Sequence, residues 1–262
     1  MRGISILALI AACLLVPAAA GANVKTKEIE YKQGDTPLKG FVAWDDSAKG
    51  KRPGVLVIHE WWGNNEHARD QAIRLARSGY VGFALDMYGN GKVARHPQDA
   101  QAMAAEINKD PKLVKARFDV ALAELKKDPH VDPKRIGVVG YCMGGSIALA
   151  MAAAGEDINA LATFHAGLQN IPEPKKGSVK PRILVNTGAD DPAAPAQKVD
   201  ALKQAFSSAG ARIEVISYPG AKHAFTNPAA DKVGMPALAY NADADKKSWE
   251  NTMKMFQEVF HS

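Results

Sequence analysis

The sequence predicts an α/β protein with a mostly parallel central sheet and helices on both faces. Three observations carry this expectation. Short apolar runs such as Val55–Ile58 and Tyr80–Leu85 lack the alternation of a half-exposed strand, so they are expected to be buried on both faces. Segments with apolar residues at helical spacing alternate with such runs through the rest of the chain. Finally, His59, Glu60, Asp86, Cys142, His165, Asp190, Asp191 and His223 all fall just after strands, on the edge where open parallel sheets place their ligands.

The chain has 262 residues, and the first 22 stand apart. They hold one arginine, an apolar run from Ile4 to Val16, and small residues ending in Ala18-Ala19-Ala20 and Ala20-Gly21-Ala22. This pattern predicts a cleaved secretory leader over 1–22 and a periplasmic or secreted product. The run meets Pro17 before it reaches the roughly 20 residues that span a bilayer. Ile10-Ala11-Ala12-Cys13 resembles a lipoprotein box but sits too early, so no lasting membrane anchor is expected. Cleavage after Ala22 leaves 240 residues, 23–262, enough for one large domain.

The elements follow in order. Val24–Tyr31 and Leu38–Trp44 alternate across Gly34-Asp35-Thr36-Pro37 and predict a hairpin. After Val55–Ile58, Glu66–Ser78 has Ala68, Ala72, Ile73, Leu75 and Ala76 at helical spacing and stops at Gly79. Tyr80–Leu85 completes a strand-helix-strand unit. Pro97–Ile107 and Leu113–Lys127 read as helices, Arg135–Val139 as a strand and Met143–Ala153 as a helix. Ala160–Phe164, Arg182–Asn186 and Arg212–Tyr218 read as strands, with helix Gln197–Ser208 between the last two. The chain closes on helix Lys246–Phe260, whose Trp249, Met253, Phe256 and Phe260 share a face.

Charge and cysteine usage narrow the function. The net charge of +5 is spread among acids, as in ELKKD and INKDPK, so no nucleic-acid surface is expected. Of two cysteines, Cys13 leaves with the leader. Cys142 then has no partner within its chain in an oxidising compartment, so it is either a buried core residue or is kept for its thiol.

Its surroundings favour the thiol. Val138–Ile147 reads VVGYCMGGSI, a Gly-x-Cys-x-Gly turn between an apolar strand and a small-residue helix. This is the nucleophile elbow of the α/β-hydrolase fold, where Gly140 and Gly144 let strand and helix approach. The helix from Met143 presents free N–H groups and its positive end to position 142, which favours negative charge there. In that fold the nucleophile, acid and base arrive in this chain order. TGADDPAAP supplies Asp190 and Asp191, of which the following Pro192 and Pro195 favour Asp191 as the acid, and YPGAKHAF supplies His223 as the base. The loop His59-Glu60-Trp61-Trp62-Gly63 stands where the fold takes its second oxyanion donor, so the backbone N–H groups of Trp61 and Met143 are the expected donors. No zinc or P-loop pattern occurs, and neither a metal nor a cofactor is expected.

HEWWGNN, GYVGFALDMYG, RIGVVGYCMGG, TFHAGL, Asp191-Pro192 and YPGAKHAF together resemble the dienelactone hydrolase family, or carboxymethylenebutenolidases. The segment TNPAAD…ALAYNADA resembles its exported branch. The resemblance implies a Cys142-His223-Asp191 triad acting on esters or lactones. It also implies that Glu60 holds the resting thiol and helps activate it when substrate arrives. Trp62, Tyr88, Tyr141, His165 and Phe225 are expected to line the pocket. The family's substrate-carboxylate arginines are missing from Asp86-Met87-Tyr88-Gly89-Asn90 and from His223-Ala224-Phe225-Thr226-Asn227. A neutral or larger ester is therefore expected, unless Lys92, Arg95 or Arg117 substitutes.

The expected function is a secreted ester or lactone hydrolase acting on a small molecule, with a monomer favoured. Two other readings remain open: a non-catalytic periplasmic binding or partner protein, and an acyltransferase using the same thiol. Residues 227–245 read either as a lid or as a packed surface loop.

Overall fold

The opening hairpin pairs β1 (Val24–Gln33) antiparallel with β2 (Thr36–Asp45) along its whole length. In this computed structural model, which describes residues 22–261, the turn is only Gly34-Asp35, with Gly34 at φ 57°. Thr36 and Pro37 therefore belong to the strand and not to the turn that their composition suggests. The expected leader lies, apart from Ala22, outside the described residues.

Six further strands complete one sheet: β3 (Arg52–Ile58), β4 (Val81–Ala84), β5 (Val131–Tyr141), β6 (Ala160–Phe164), β7 (Arg182–Gly188) and β8 (Ile213–Tyr218). Their order is β1-β2-β4-β3-β5-β6-β7-β8. β2 meets β4 antiparallel, and every pairing from β4 to β8 is parallel. Among the described residues the α-helices are α1 (Glu66–Arg77), α2 (Pro97–Asn108), α3 (Pro111–Lys127), α4 (Met143–Ala153), α5 (Ala196–Ser208) and α6 (Ala242–Phe260). The α/β-hydrolase fold expected from the sequence is present. α4 and β6 span the expected residues. β5 begins four residues early, because polar Asp132-Pro133-Lys134 conceals a stretch whose Val131 and Asp132 pair with Arg52 and Pro53 across a register shift. α6 also starts four residues early, where Asn241 caps Ala244 N–H and Asp243 and Asp245 sit in the first turn.

Alternation within the apolar runs builds two cores. Leu56 and Ile58 of β3 pack with Ile107, Phe118, Ile147 and Phe206, so α2 to α5 cover that face. Val55 and Val57 pack with Leu75, Trp249 and Phe256, so α1 and α6 cover the other. Fully buried phenylalanines such as Phe118 and Phe256 each contribute roughly 2–3 kcal/mol. Among the described residues no helix is long and apolar enough to cross a membrane.

Asp86 ties the loop after β4 to the rest of the fold. Its buried carboxylate accepts hydrogen bonds from the backbone N–H groups of Lys39, Tyr88, Gly89 and Gly91 at 2.8–3.1 Å. Four donors converge on one side chain, so its removal leaves several buried N–H groups without an acceptor. Asp86→Ala is expected to lower stability by about 3 kcal/mol or more, read as a reduced midpoint in urea unfolding. Asp86→Asn, which keeps an acceptor oxygen, is expected to lose less.

Candidate active site

β5 ends at Tyr141 and α4 begins at Met143, leaving Cys142 alone to make the turn. It does so at φ 53° and ψ −116°, a backbone conformation that a non-glycine residue keeps only when its surroundings enforce it. A Cβ at Gly140 would run into the Gly144 carbonyl, and one at Gly144 would run into the carbonyls of Ile58 and His59. The two glycines let α4 press against β5 and β3. Cys142 N–H donates to Phe164 O at 3.0 Å, and its carbonyl accepts from Gly145 and Ser146 N–H. The half-exposed thiol is thereby held on the sheet's C-terminal edge.

His223 Nε2 lies 3.0 Å from Cys142 Sγ, and Nδ1 lies 2.8 Å from Asp191 Oδ2. Asp191 is buried, and its other oxygen accepts from Ala193 N–H at 2.8 Å. Asp190 points into solvent, so of the two candidate acids it is Asp191 that meets the histidine. Burial alone disfavours the charged imidazole of His223. Attraction to an ionised Cys142 and the hydrogen bonds to Asp191 and Cys142 outweigh it, so the His223 pKa is raised well above its ordinary value. Its backbone is fixed from outside the sheet: His223 N–H donates to Ala237 O, and His223 O accepts from Ala239 N–H, both at 3.1 Å.

On the facing side is the loop after β3. Among the described residues neither Trp61 nor Met143 donates its backbone N–H to a protein acceptor, so both remain available to an oxyanion. Tyr88 steadies the first of them by donating its hydroxyl to Trp61 O at 2.7 Å. His59 Nε2 accepts from Met87 N–H, joining this loop to the one after β4.

Several expected residues occupy other places than the resemblance suggests. Glu60 does not hold the thiol. Its Oε2 accepts from Asn227 Nδ2 at 2.7 Å, and Oε1 lies 4.0 Å from His165 Nε2. His165, Tyr141 and Phe225 are fully buried beneath the site and do not line it. His165 bonds Thr226 Oγ1 at 2.8 Å and lies edge-on to His223, and burial first, then the charges of His223 and His67, lower its pKa so that it stays neutral. Tyr141 stacks on Phe164 at 4.7 Å and bonds Gln71. Trp62 does line the space beside Cys142, whereas Tyr88 backs the Trp61 loop and faces a separate cavity. Thr226 and Asn227 were missed, although the run HAFTN puts two polar side chains within four residues of the histidine.

Two cavities open on the sulfur. One of about 220 Å³ is bounded by Glu60, Trp61, Trp62, Cys142, His223 and Leu238. Another of about 390 Å³ also reaches Cys142 and His223 and is bounded further by Gln101, Asn108 and Ser146. Residues 227–245 are packed as a wall. A short 3-10 turn, Ala230–Val233, and Met235, Ala237 and Leu238 enclose the smaller cavity, and a bridge joins Leu238 to His223. Neither cavity is lined by Arg or Lys, and Glu60 is the one acid present. Lys92 and Arg117 face a different cavity, with Arg117 donating to Met87 O, and Arg95 is exposed on the surface, so none of them replaces the missing arginines. Among the described residues no cluster of three or more His, Cys, Asp or Glu could hold a metal ion.

Known proteins are similar to this chain over most of its length. The family model described as the dienelactone hydrolase family matches residues 38–260. Protein usf of Aquifex pyrophilus is 30% identical over 237 residues, covering 88% of this chain and 97% of that protein. The solved structure of m3DLH is 36% identical with a TM-score of 0.86, over 90% of this chain and 99% of that one. A dienelactone hydrolase-like promiscuous phosphotriesterase from metagenomic libraries is 32% identical with a TM-score of 0.85, over 92% of this chain and 100% of that one. With the match spanning most of its length, the chain belongs to the dienelactone hydrolase family of hydrolases.

Proposed function

We propose that this protein is an exported, cysteine-dependent hydrolase of neutral carboxylic esters or lactones. The observation that carries the reading is the unbroken chain from Cys142 Sγ to His223 at 3.0 Å and from His223 to Asp191 at 2.8 Å, beneath two free backbone N–H groups. The sulfur attacks the acyl carbon, and the N–H groups of Trp61 and Met143 receive the oxyanion. His223 gives its proton to the departing alkoxide, and the acyl group stays on Cys142 as a thioester. Water then attacks the thioester with His223 taking its proton, which releases the acid and restores the thiol. Asp191 keeps the imidazole turned toward the sulfur throughout.

Charge supports a neutral substrate. A carboxylate entering the smaller cavity would meet Glu60, and neither cavity offers it an Arg or Lys, a costly desolvation without a dedicated partner. Export rests on the leader pattern in residues 1–22.

Purified mature protein in reducing buffer is expected to hydrolyse p-nitrophenyl acetate, and Cys142→Ala to fall by about 10³-fold or more. Folded but inactive wild type would favour a binding role instead. Because His223 Nε2 lies 3.0 Å from Cys142 Sγ and its raised pKa favours the charged imidazole beside the sulfur, His223→Ala should slow alkylation of Cys142 by iodoacetamide by at least about tenfold, read by mass spectrometry. Equal rates would mean that the histidine does not activate the sulfur. N-terminal sequencing of the exported protein is expected to begin at Asn23, and an intact Met1 would rule out processing.

A further inference from the structure

The larger cavity at Cys142 does not end at the catalytic residues. It shares Asn108, Ser146, Gln169 and Asn170 with a third cavity of about 260 Å³, so the two form one continuous groove. The groove follows α4. Met143, Ser146, Ile147, Ala150, Met151 and Ala154 line it in turn, at the three- and four-residue spacing of a single helix face. From Cys142 to Ala154 that face extends about 18 Å at the helical rise.

Its chemistry changes along its length. The amides of Asn108, Gln169 and Asn170 stand where the two cavities meet, whereas the rest of the outer part is formed mainly by Pro111 and Val114 of α3, the apolar face of α4, and Pro172. The one charged side chain there, Lys115, has its ammonium engaged by Asp119 at 2.9 Å and by Glu156. No free charge is left for an anionic head. The wall also carries backbone strain: Leu168 at φ 50° and Asn170 at φ 55° both hold left-handed conformations, and Leu168 is pinned against the core.

We propose that this groove binds the hydrocarbon chain of a medium- or long-chain ester whose scissile carbonyl lies at Cys142, with the smaller cavity taking the other, shorter half. The inference rests on the hydrolase reading and assigns it a substrate class. Continuity with the nucleophile identifies the occupant, because a chain lying in the groove leads directly to the reacting sulfur. The apolar chain could belong to the acid or to the alcohol, and the two sources are separable.

Two ester series test it: p-nitrophenyl acetate, butyrate and octanoate vary the acyl chain, while methyl, butyl and octyl acetate followed by pH-stat vary the alcohol. In one series kcat/KM is expected to rise at least about tenfold from the shortest to the longest member, since each methylene removed from water is worth up to about fourfold. Ala150→Phe, which fills the groove at a half-buried position, should cut the long-to-short ratio in that series about tenfold. If that variant fails to fold by circular dichroism, Ala154→Trp at the exposed outer end is expected to lower the same ratio. Calorimetric titration with 1-octanol reads the groove without turnover, and binding is expected in wild type and weaker in the filled variant. A flat chain-length profile in both series, or absence of octanol binding, overturns the groove even where acetate is cleaved. Octanol binding with no ester cleaved overturns the hydrolase reading and leaves the apolar site standing.

Discussion

At the end of β5 the chain has a single residue in which to pass from strand to helix, and everything in the site depends on that contact being tight. Side chains at 140 or 144 would push α4 away from β3 and β5, and Cys142 would lose the surroundings that hold its unusual backbone. The same contact sets the start of α4, hence the place of the free Met143 N–H, and aims the sulfur toward the one histidine that can reach it. The place of the sulfur, of the free Met143 N–H and of the α4 face beside them are thus three consequences of one close approach between strand and helix.

The remaining parts are supplied by loops that the sheet delivers to the same edge. β7 and β8 carry Asp191 and His223 there, and β3 and β4 carry the Trp61 loop and its Tyr88 support. Those two loops are rigid because buried polar groups tie them: Asp86 gathers backbone donors from both sides of its turn, and His59 links the loops to each other. The rigidity matters chemically, since an oxyanion donor is effective only when it needs no reorganisation as charge develops.

Much of this was legible in the sequence because it is written in local patterns. Apolar runs and helical spacing located the strands and helices, and Gly-x-Cys-x-Gly fixed the elbow. What was not legible depended on contacts between distant segments. Tyr141 neighbours Cys142 at the end of β5, His165 follows β6 and Phe225 lies two residues past His223, yet all three rings are buried beneath the site, a placement set by packing between segments that no local pattern reports. The partner of Glu60 is Asn227, 167 residues away, and no spacing rule reaches that far. Pro192 and Pro195 favoured Asp191 over Asp190 without deciding between them, since only the folded geometry shows which carboxylate meets His223 and which faces water.

The wall formed after His223 has a mechanical consequence. Ala237 and Ala239 grip the main chain of the histidine from both sides, so the covering segment and the base share one set of backbone hydrogen bonds. Any outward swing of that segment pulls on the imidazole and lengthens its contact with the sulfur. Widening the entrance and keeping the base in register are therefore opposed.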